Sequence, residues 1–454
     1  MPTPSAAATR RASRLLLLRR IGLFTMYAVL AVVPLGLALL GPHPPGRGFW
    51  IDASFGLGLV GLGMLGLQFL SVARINRVDA PYGIDAVMRY HRQIAFVALA
   101  FVVLHPFLLL AKAWSAYWPI INPLHAPSRV QWGQGALLML VFLVVVSVLR
   151  LRWKLEYELW RVTHGLLAVL VTGFALMHVR SVGVYVERGT WKPVAFSVFA
   201  LVFMALLVWV RVLKPLARLF RAFVVEEIKP EAGDAVTIRL RPVREGVALR
   251  FRAGQFSWIT LSSTPFAQNE HPFSISSSAA RPQFVEFTIK ELGDFTRHVH
   301  ELPPGTRAYL DGPFGNFGVG WEAASQLLLV AGGIGITPNM SILRTMADTG
   351  DRRPVTLVYG NNDWGSVVFR DELEQLTEQL DLTVVHVLAK GHEGWEGEVG
   401  FITTEILQRG LPADHGGLQA YVCGPPPMMA AVERALLELG VPPRQVHSEL
   451  FTFV

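Results

Sequence analysis

Apolar and polar positions divide the chain into two halves with different periodicity. The first half carries six almost uncharged stretches, each close to the ~20 residues that a helix needs to cross a bilayer: 21–41, 51–73, 88–111, 133–150, 160–180 and 192–213. From residue 220 the runs shorten to β-rich segments such as "AVTIRLRPV" and "FVEFTIKEL", separated by Gly and Pro, which predicts a small antiparallel barrel. Beyond "QLLLVAGG" buried strands alternate with helical segments, and this alternation predicts a parallel sheet with crossover helices.

The predicted fold is therefore multi-domain. It comprises a basic N-terminal tail (1–20), an all-α six-helix transmembrane bundle (21–215), an antiparallel β-barrel domain (220–318) and an α/β parallel-sheet domain (319–454). The first apolar stretch follows a basic N-terminal segment, which is also the order found in a signal peptide. No clear A-x-A cleavage site follows it, so we expect an uncleaved first helix.

Basic residues are concentrated beside the apolar stretches. The chain carries a net charge of +7 and has a pI of about 9.7, with a mean hydropathy of +0.40. Because topology explains these residues, we expect a lipid bilayer as the partner and no nucleic acid. With the N-terminus in the cytoplasm, the inner segments hold seventeen Lys and Arg residues and the outer segments six. We therefore expect an integral protein of a bacterial-type inner or plasma membrane, with its N-terminus and soluble half cytoplasmic.

Four histidines interrupt the apolar stretches at equal spacing. His91 and His105 are fourteen residues apart in the third stretch, and His164 and His178 are fourteen apart in the fifth. Fourteen residues make close to four helical turns, so each pair shares a face and its members lie about 21 Å apart along the axis. Both helices run outward, so His91 with His164 forms an inner level and His105 with His178 an outer one. Each level fits a bis-imidazole site for a planar metal cofactor such as haem.

Other interpretations of these histidines stay open. They could hydrogen-bond neighbouring helices or lie near the membrane interface, and a single zinc ion could not be shared by levels so far apart. The only cysteine, Cys423, excludes an intrachain disulfide, a cysteine-ligated iron–sulfur cluster and a haem attached through CxxCH.

Several glycine-rich turns in the second half are candidates for nucleotide binding. "HPFSISSS" (271–278) begins a strand, and Gly293 and Thr296 stand where a helix is predicted to begin. "DGPFGNFG" (311–318) is a turn, and "GGIGITP" (332–338) joins a buried strand to a helix. "YVCGPPPMM" (421–429) again ends a strand, at the edge where α/β sheets bind ligands. Glycines let the backbone approach a phosphate, and a helix N-terminus favours its charge.

Together these motifs resemble the NADPH oxidase and ferric reductase superfamily, over residues 21 to 454. The resemblance rests on the two His pairs and on "HPFS", "GPFG", "GGIGITP" and "CGPPPM". It implies two b-type haems held by His91, His105, His164 and His178, and a ferredoxin–NADP reductase-type dehydrogenase that binds FAD and NADH or NADPH. The FAD site it implies comprises His271, Pro272, Phe273, Ser274, Ile289, Lys290, Phe295 and Thr296. The nicotinamide dinucleotide site comprises Gly332, Gly333, Gly335, Thr337 and Pro338, with Cys423, Gly424 and Pro425 near the nicotinamide.

Two departures from the family pattern affect these expectations. Relatives end in an aromatic residue that covers the flavin, and in "HSELFTFV" we assign this role to Phe451 because it follows a Glu-X pair. Many relatives place an Arg where this chain has Asn362, and the absence of that guanidinium favours NADH.

The resemblance implies a transmembrane oxidoreductase of the NAD(P)H oxidase or ferric-chelate reductase type. Electrons would pass from cytoplasmic NAD(P)H through FAD and the haems to an extracytoplasmic acceptor. Dioxygen, a ferric chelate and an extracytoplasmic redox protein stay open as acceptors. The alternatives are a transporter or sensor with a regulatory cytoplasmic nucleotide-binding module, and a flavin reductase fused to a membrane anchor.

Overall fold

The computed structural model describes residues 6–41, 44–75, 84–112, 114–187, 189–412 and 415–449. The described residues form two compact units, which we call the membrane unit (within 16–75 and 86–214) and the soluble unit (within 215–449, together with 6–15 and 84–85).

Six long apolar helices build the membrane unit, as the hydrophobic pattern predicted. They are α1 (Ala6–Leu39), α2 (Phe49–Ser71), α3 (Ile84–Lys112), α4 (Ser128–Leu149), α5 (Tyr157–Val182) and α6 (Lys192–Val208). Each is long and apolar enough to cross a membrane. A π-helical turn, Trp209–Leu213, follows α6 and leads into the short helix α7 (Lys214–Leu219). The predicted starts of the fourth and fifth spans are several residues late, because their first turns carry polar residues that lowered the local hydropathy.

Glycines bring α2 into close contact with three other helices. A Cβ at Gly61 would lie 2.9 Å from the Val102 side chain on α3, and one at Gly66 would lie 2.8 Å from the Phe203 ring on α6. At Gly63 a Cβ would collide with the main chain of Ala31 on α1. Small residues allow such close backbone approach between membrane helices, where van der Waals packing supplies much of the association energy.

The first half of the soluble unit is a six-stranded antiparallel sheet in the order β4-β3-β6-β1-β2-β5. Its strands are β1 (Phe223–Glu231), β2 (Ala235–Pro242), β3 (Phe256–Leu261), β4 (His271–Ser274), β5 (Val285–Lys290) and β6 (Arg307–Phe314). An antiparallel bridge between Ile275 and Phe287 joins the two ends of the sheet, so it curls into the predicted barrel. Ile238, Leu240 and Ile259 are fully buried inside it.

The second half is a parallel sheet in the order β10-β9-β8-β7-β11-β12. Its strands are β7 (Gln326–Gly332), β8 (Val355–Asn361), β9 (Leu382–Leu388), β10 (Glu398–Val399), β11 (Leu418–Cys423) and β12 (Val446–Ser448). Its helices are α8 (Ile336–Thr349), α9 (Arg370–Gln379), α10 (Thr404–Gly410) and α11 (Pro426–Glu438). The chain passes from β7 to β8 on one side and later places β11 on the other. The strand order therefore reverses between β7 and β11, where open α/β sheets bind ligands.

Arg344 on α8 links the barrel to the parallel sheet. Its guanidinium donates to the Ser276 carbonyl at 2.8 Å, to Glu286 at 3.0 Å and to Glu372 at 2.6 Å. The two domains are thereby joined by a charge-assisted network in which the arginine is mostly buried.

Candidate functional site

The four histidines of the apolar helices meet in two pairs, as their spacing predicted. His91 on α3 faces His164 on α5, and His105 on α3 faces His178 on α5; both pairs have ring centroids 6.3 Å apart. We call the His91–His164 pair the first level and the His105–His178 pair the second level.

This separation fits a metal ion between the two rings of a pair. An imidazole nitrogen lies about 2 Å from a bound transition metal, so two opposed nitrogens would be ~4 Å apart. Each ring centre lies one ring radius further out, which brings the centroid separation close to the 6.3 Å observed at both levels.

At the first level, serine hydroxyls set the tautomer of both rings. Ser71 Oγ donates to the Gln68 carbonyl at 2.8 Å and lies 2.8 Å from His91 Nδ1. Ser147 Oγ likewise donates to the Leu143 carbonyl at 2.7 Å and lies 3.0 Å from His164 Nδ1. A hydroxyl has one hydrogen to give, so each serine oxygen accepts a hydrogen from Nδ1.

At the second level, main-chain carbonyls have the same effect. His105 Nδ1 lies 2.8 Å from the carbonyl oxygen of Ser54, and His178 Nδ1 lies 2.7 Å from that of Arg129. A carbonyl can only accept, so both Nδ1 atoms carry the hydrogen. All four neutral imidazoles therefore keep a lone pair on Nε2, which is the form that binds a metal.

Glycines explain how the second-level rings reach the backbone. Gly58 follows Ser54 by one helical turn, and a Cβ there would lie 3.3 Å from the His105 ring. Gly133 follows Arg129 by one turn, and a Cβ there would lie 2.8 Å from two atoms of the His178 ring. The missing side chains let each imidazole lie against the neighbouring helix and reach a carbonyl.

The histidine pairs differ from a tetrahedral zinc site. Within the described ranges no three His, Cys, Asp or Glu side chains come together in a way that could hold a metal ion. Each level thus offers two nitrogen ligands, which suits the axial positions of a haem better than a structural zinc ion.

In the parallel sheet, the predicted glycine turns meet at the point where the strand order reverses. A Cβ at Gly332 would lie 2.6 Å from Met428 Sδ and 2.8 Å from Pro425, and one at Gly335 would collide with the Cys423 carbonyl. A Cβ at Gly424 would meet the Gly332 nitrogen at 3.0 Å. These three glycines are required because the loops after β7 and β11 pack against each other.

Gly333 has a different environment from its neighbours. It adopts a positive φ of 53°, and a Cβ there would meet nothing within 4 Å. Tyr359 Oη donates to its carbonyl at 3.1 Å. Thr337 and Pro338 lie in the first turn of α8 and are buried, as is Cys423 at the end of β11. Gly333 therefore has open space beside the first turn of α8, where the sequence motif predicts dinucleotide binding.

In the barrel, the residues assigned to the flavin lie on adjoining segments. His271, Pro272, Phe273 and Ser274 form β4, and Ile289 and Lys290 end β5. The Phe295 ring stacks on the His271 ring with centroids 3.9 Å apart. Thr296 Oγ1 accepts from the N–H groups of Leu292 and Gly293, both at 2.9 Å. A diphosphate bound at this turn would have to replace these two internal hydrogen bonds with bonds from the same N–H groups. The assignment of Thr296 to the FAD site therefore stays a prediction.

Sequence reasoning missed a buried ion cluster beside this strand. Arg218 on α7 contacts Glu270 and Asp311, each at 2.6 Å, and its side chain is 8% exposed. Glu270 directly precedes β4, and Asp311 lies on β6 in "DGPFG". Phe451, assigned to cover the flavin, lies outside the described residues.

Comparison with known proteins finds a family model for the membrane helices, one for the barrel and one for the parallel sheet. Family models match at residues 57–175 (ferric reductase like transmembrane component), 222–315 (FAD-binding domain) and 329–434 (oxidoreductase NAD-binding domain). The chain is 32% identical over 238 residues to the reductase component of propane 2-monooxygenase of Rhodococcus jostii (strain RHA1), covering 50% of this chain and 62% of that protein. It is 32% identical over 191 residues to NADH-cytochrome b5 reductase 1 of Kluyveromyces lactis, covering 40% of this chain and 67% of that protein. The cytochrome b5 reductase domain of Ulva prolifera nitrate reductase aligns with a TM-score of 0.44 at 20% identity, over 51% of this chain and 96% of that chain.

The three family-model matches and the strand orders define a flavin- and nucleotide-binding reductase module that follows a six-helix membrane component. The chain belongs to the NADPH oxidase and ferric reductase superfamily. It is an integral membrane NAD(P)H oxidoreductase with FAD-binding and NAD-binding domains.

Proposed function

We propose that this protein carries electrons across a membrane from cytoplasmic NADH, through FAD and two b-type haems, to an acceptor on the other side. When bound, FAD takes up a hydride and gives up single electrons, which the haems carry between the two levels. The observation that carries the proposal is the pair of histidine levels, each with the same ring separation and the same Nδ1–H tautomer.

The proposal assigns the haems, the dinucleotide and FAD to separate sets of residues. His91 and His164 hold the haem nearer the cytoplasm, and His105 and His178 hold the other. Gly332, Gly333, Gly335, Thr337 and Pro338 hold the dinucleotide, while Cys423, Gly424 and Pro425 lie near the nicotinamide. The residues of β4 and the end of β5, with Phe295, Thr296 and Phe451, bind FAD. The orientation rests on the excess of basic residues on one side.

NADH is the preferred donor in this proposal. Asn362 and Asp363 follow β8, and both are exposed at its carboxyl end. An arginine there would bind a 2′-phosphate, whereas a carboxylate repels it. The similarity to NADH-cytochrome b5 reductases supports the same preference.

Were both imidazoles of a level to hold a haem, they would leave no position for an acceptor on the iron, and the haem would supply the electron through its edge. Dioxygen giving superoxide and a ferric chelate giving ferrous iron both suit such an edge. Reduction of cytochrome c that superoxide dismutase suppresses would identify the first. Ferric-chelate reduction under nitrogen would identify the second.

The proposal is tested first by the visible spectrum of the purified full-length protein. We expect a low-spin b-type spectrum and about two haems per chain. One haem or none would refute it. In liposomes with NADH enclosed on the side of the soluble unit, we then expect reduction of an acceptor held on the opposite side. A transporter or sensor with a regulatory nucleotide module would show neither haem nor steady consumption of NADH.

A further inference from the structure

The two histidine levels differ in the groups that accept their Nδ1 hydrogens. At the first level the acceptors include the side-chain oxygens of Ser71 and Ser147, and the main chain of Gln68 also accepts a hydrogen bond from His91. At the second level carbonyl oxygens of Ser54 and Arg129 lie at 2.8 and 2.7 Å from Nδ1, and Ser54 Oγ also lies 3.0 Å from His105 Nδ1. A substitution can remove a side-chain acceptor, but it cannot remove a main-chain one, and Arg129 supplies His178 with a main-chain acceptor while Ser147 supplies His164 with a side-chain acceptor.

The first-level serines are themselves fixed in place. Ser71 is 4% exposed, and its hydrogen goes to the Gln68 carbonyl within its own helix. Ser147 donates to the Leu143 carbonyl and also accepts from Trp160 Nε1 at 3.3 Å. The Trp160 ring lies 5.1 Å from that of His164. Each serine oxygen is therefore oriented by other bonds before it meets an imidazole.

We propose that Ser71 and Ser147 are positioning residues that set the reduction potential of the first level, and this proposal rests on the bis-haem function above. A hydrogen bond from Nδ1 makes the imidazole a more basic ligand and fixes the ring orientation. A more basic ligand favours the ferric state and lowers the potential. Losing the serine oxygen raises the potential of the first level and leaves the second level unchanged.

The test compares redox titrations of the purified full-length protein carrying Ser71→Ala, Ser147→Ala or both. We expect one of the two haem components to move to a higher potential, and to move furthest in the double variant. Haem affinity at that level should fall about 10- to 100-fold in the double variant, as for other outer-shell partners. Ser71→Thr and Ser147→Thr retain a hydroxyl and should restore most of the original potential.

Two controls separate a specific effect from general damage. Thr172→Val removes a buried hydroxyl from α5 that donates to the Ala168 carbonyl of its own helix, and it should shift neither component. Ser54→Ala removes a hydroxyl 3.0 Å from His105 Nδ1 while the Ser54 carbonyl remains as acceptor at 2.8 Å, so any shift should be smaller than that of Ser147→Ala.

The outcomes also separate this proposal from the proposed function. A wild-type protein without two haems would refute the function and this inference with it. Two haems whose potentials are the same in Ser71→Ala, Ser147→Ala and wild type would refute only the inference. An equal shift of both components in the serine variants would also refute it, because the effect would not belong to one level.

Discussion

Gly133 offers a direct test of how the second level is built. A Cβ at this position would lie 2.8 Å from the Cε1 and Nδ1 atoms of His178 and 3.1 Å from Cγ. These three atoms belong to one rigid ring, so the ring cannot bend away from the new methyl group. In Gly133→Ala either α4 and α5 must separate or His178 must change rotamer, and both changes lengthen the 2.7 Å bond from Nδ1 to the Arg129 carbonyl.

The cost of this change can be estimated from two terms. Forcing a methyl group into a packed interface costs roughly 1–3 kcal/mol. A buried N–H that loses its acceptor costs about another 1–3 kcal/mol. The minimum, about 2 kcal/mol, corresponds to a ~30-fold lower affinity for haem at the second level. Gly58→Ala should be milder, because its Cβ would lie 3.3 Å from the His105 ring and a small shift would accommodate it.

The assay is the haem content of the purified variants, followed by a redox titration. We expect Gly133→Ala to fall from about two haems per chain toward one, with the first-level component retained. The matched controls are Gly165→Ala and Gly173→Ala on α5, where a Cβ would meet nothing within 4 Å. If Gly133→Ala kept both haems and both potentials, the contact between Gly133 and His178 would not be what positions this ring.

Three further predictions concern the soluble unit. Arg218→Met removes a buried cation that contacts both Glu270 and Asp311, so the unit should lose about 3–5 kcal/mol of stability. Arg241→Met, which breaks a 3.7 Å exposed pair, should cost at most ~1 kcal/mol in the same thermal unfolding experiment. Asn362→Arg should raise the ratio of NADPH to NADH turnover, and a ratio equal to that of wild type would contradict the placement of the adenosine ribose at β8. Burial lowers the pKa of His447 from 6.5 to about 4. Between those values the unfolded chain binds a proton that the folded chain does not, so stability falls as the pH falls, by about 3 kcal/mol in all. His447→Gln should reduce the difference in Tm between pH 7 and pH 5, and an unchanged difference would contradict this.

The histidine levels could be predicted because they depend on spacing within single helices. The same fourteen-residue interval in the third and fifth spans is visible in the sequence, and helical geometry converts it into two levels. The partners of those histidines could not be predicted in the same way. Ser71 and Ser147 lie on other helices, and their role depends on which helices are neighbours. The available signal was a small or hydroxyl residue within an otherwise apolar stretch, which is common in membrane helices for packing alone.

The glycine turns show a different limit of sequence reasoning. The motif "GGIGITP" predicted backbone approach to a phosphate, and the fold does place it where the strand order reverses. Yet Gly332 and Gly335 are required by contacts with the loop after β11, and Gly333 is the member of the motif that faces open space. Sequence alone cannot distinguish a glycine needed for a ligand from one needed for a neighbouring loop, because both leave the same residue in the same turn.

The second histidine level and the glycine turn at Gly333 both use main-chain carbonyls as fixed hydrogen-bond partners. Side-chain substitutions cannot remove these partners directly. Gly58 and Gly133 expose the Ser54 and Arg129 carbonyls to imidazoles, and Tyr359 fixes the Gly333 carbonyl. A main-chain oxygen remains whatever side chain it carries, so these contacts are lost only when the helices or loops move. The first histidine level also uses the side chains of Ser71 and Ser147, and substitution of either serine removes a side-chain acceptor. In the function proposed above, this level is the one that receives electrons from the flavin. Substitutions there would change the rate at which electrons enter the membrane, while the exit level keeps its geometry.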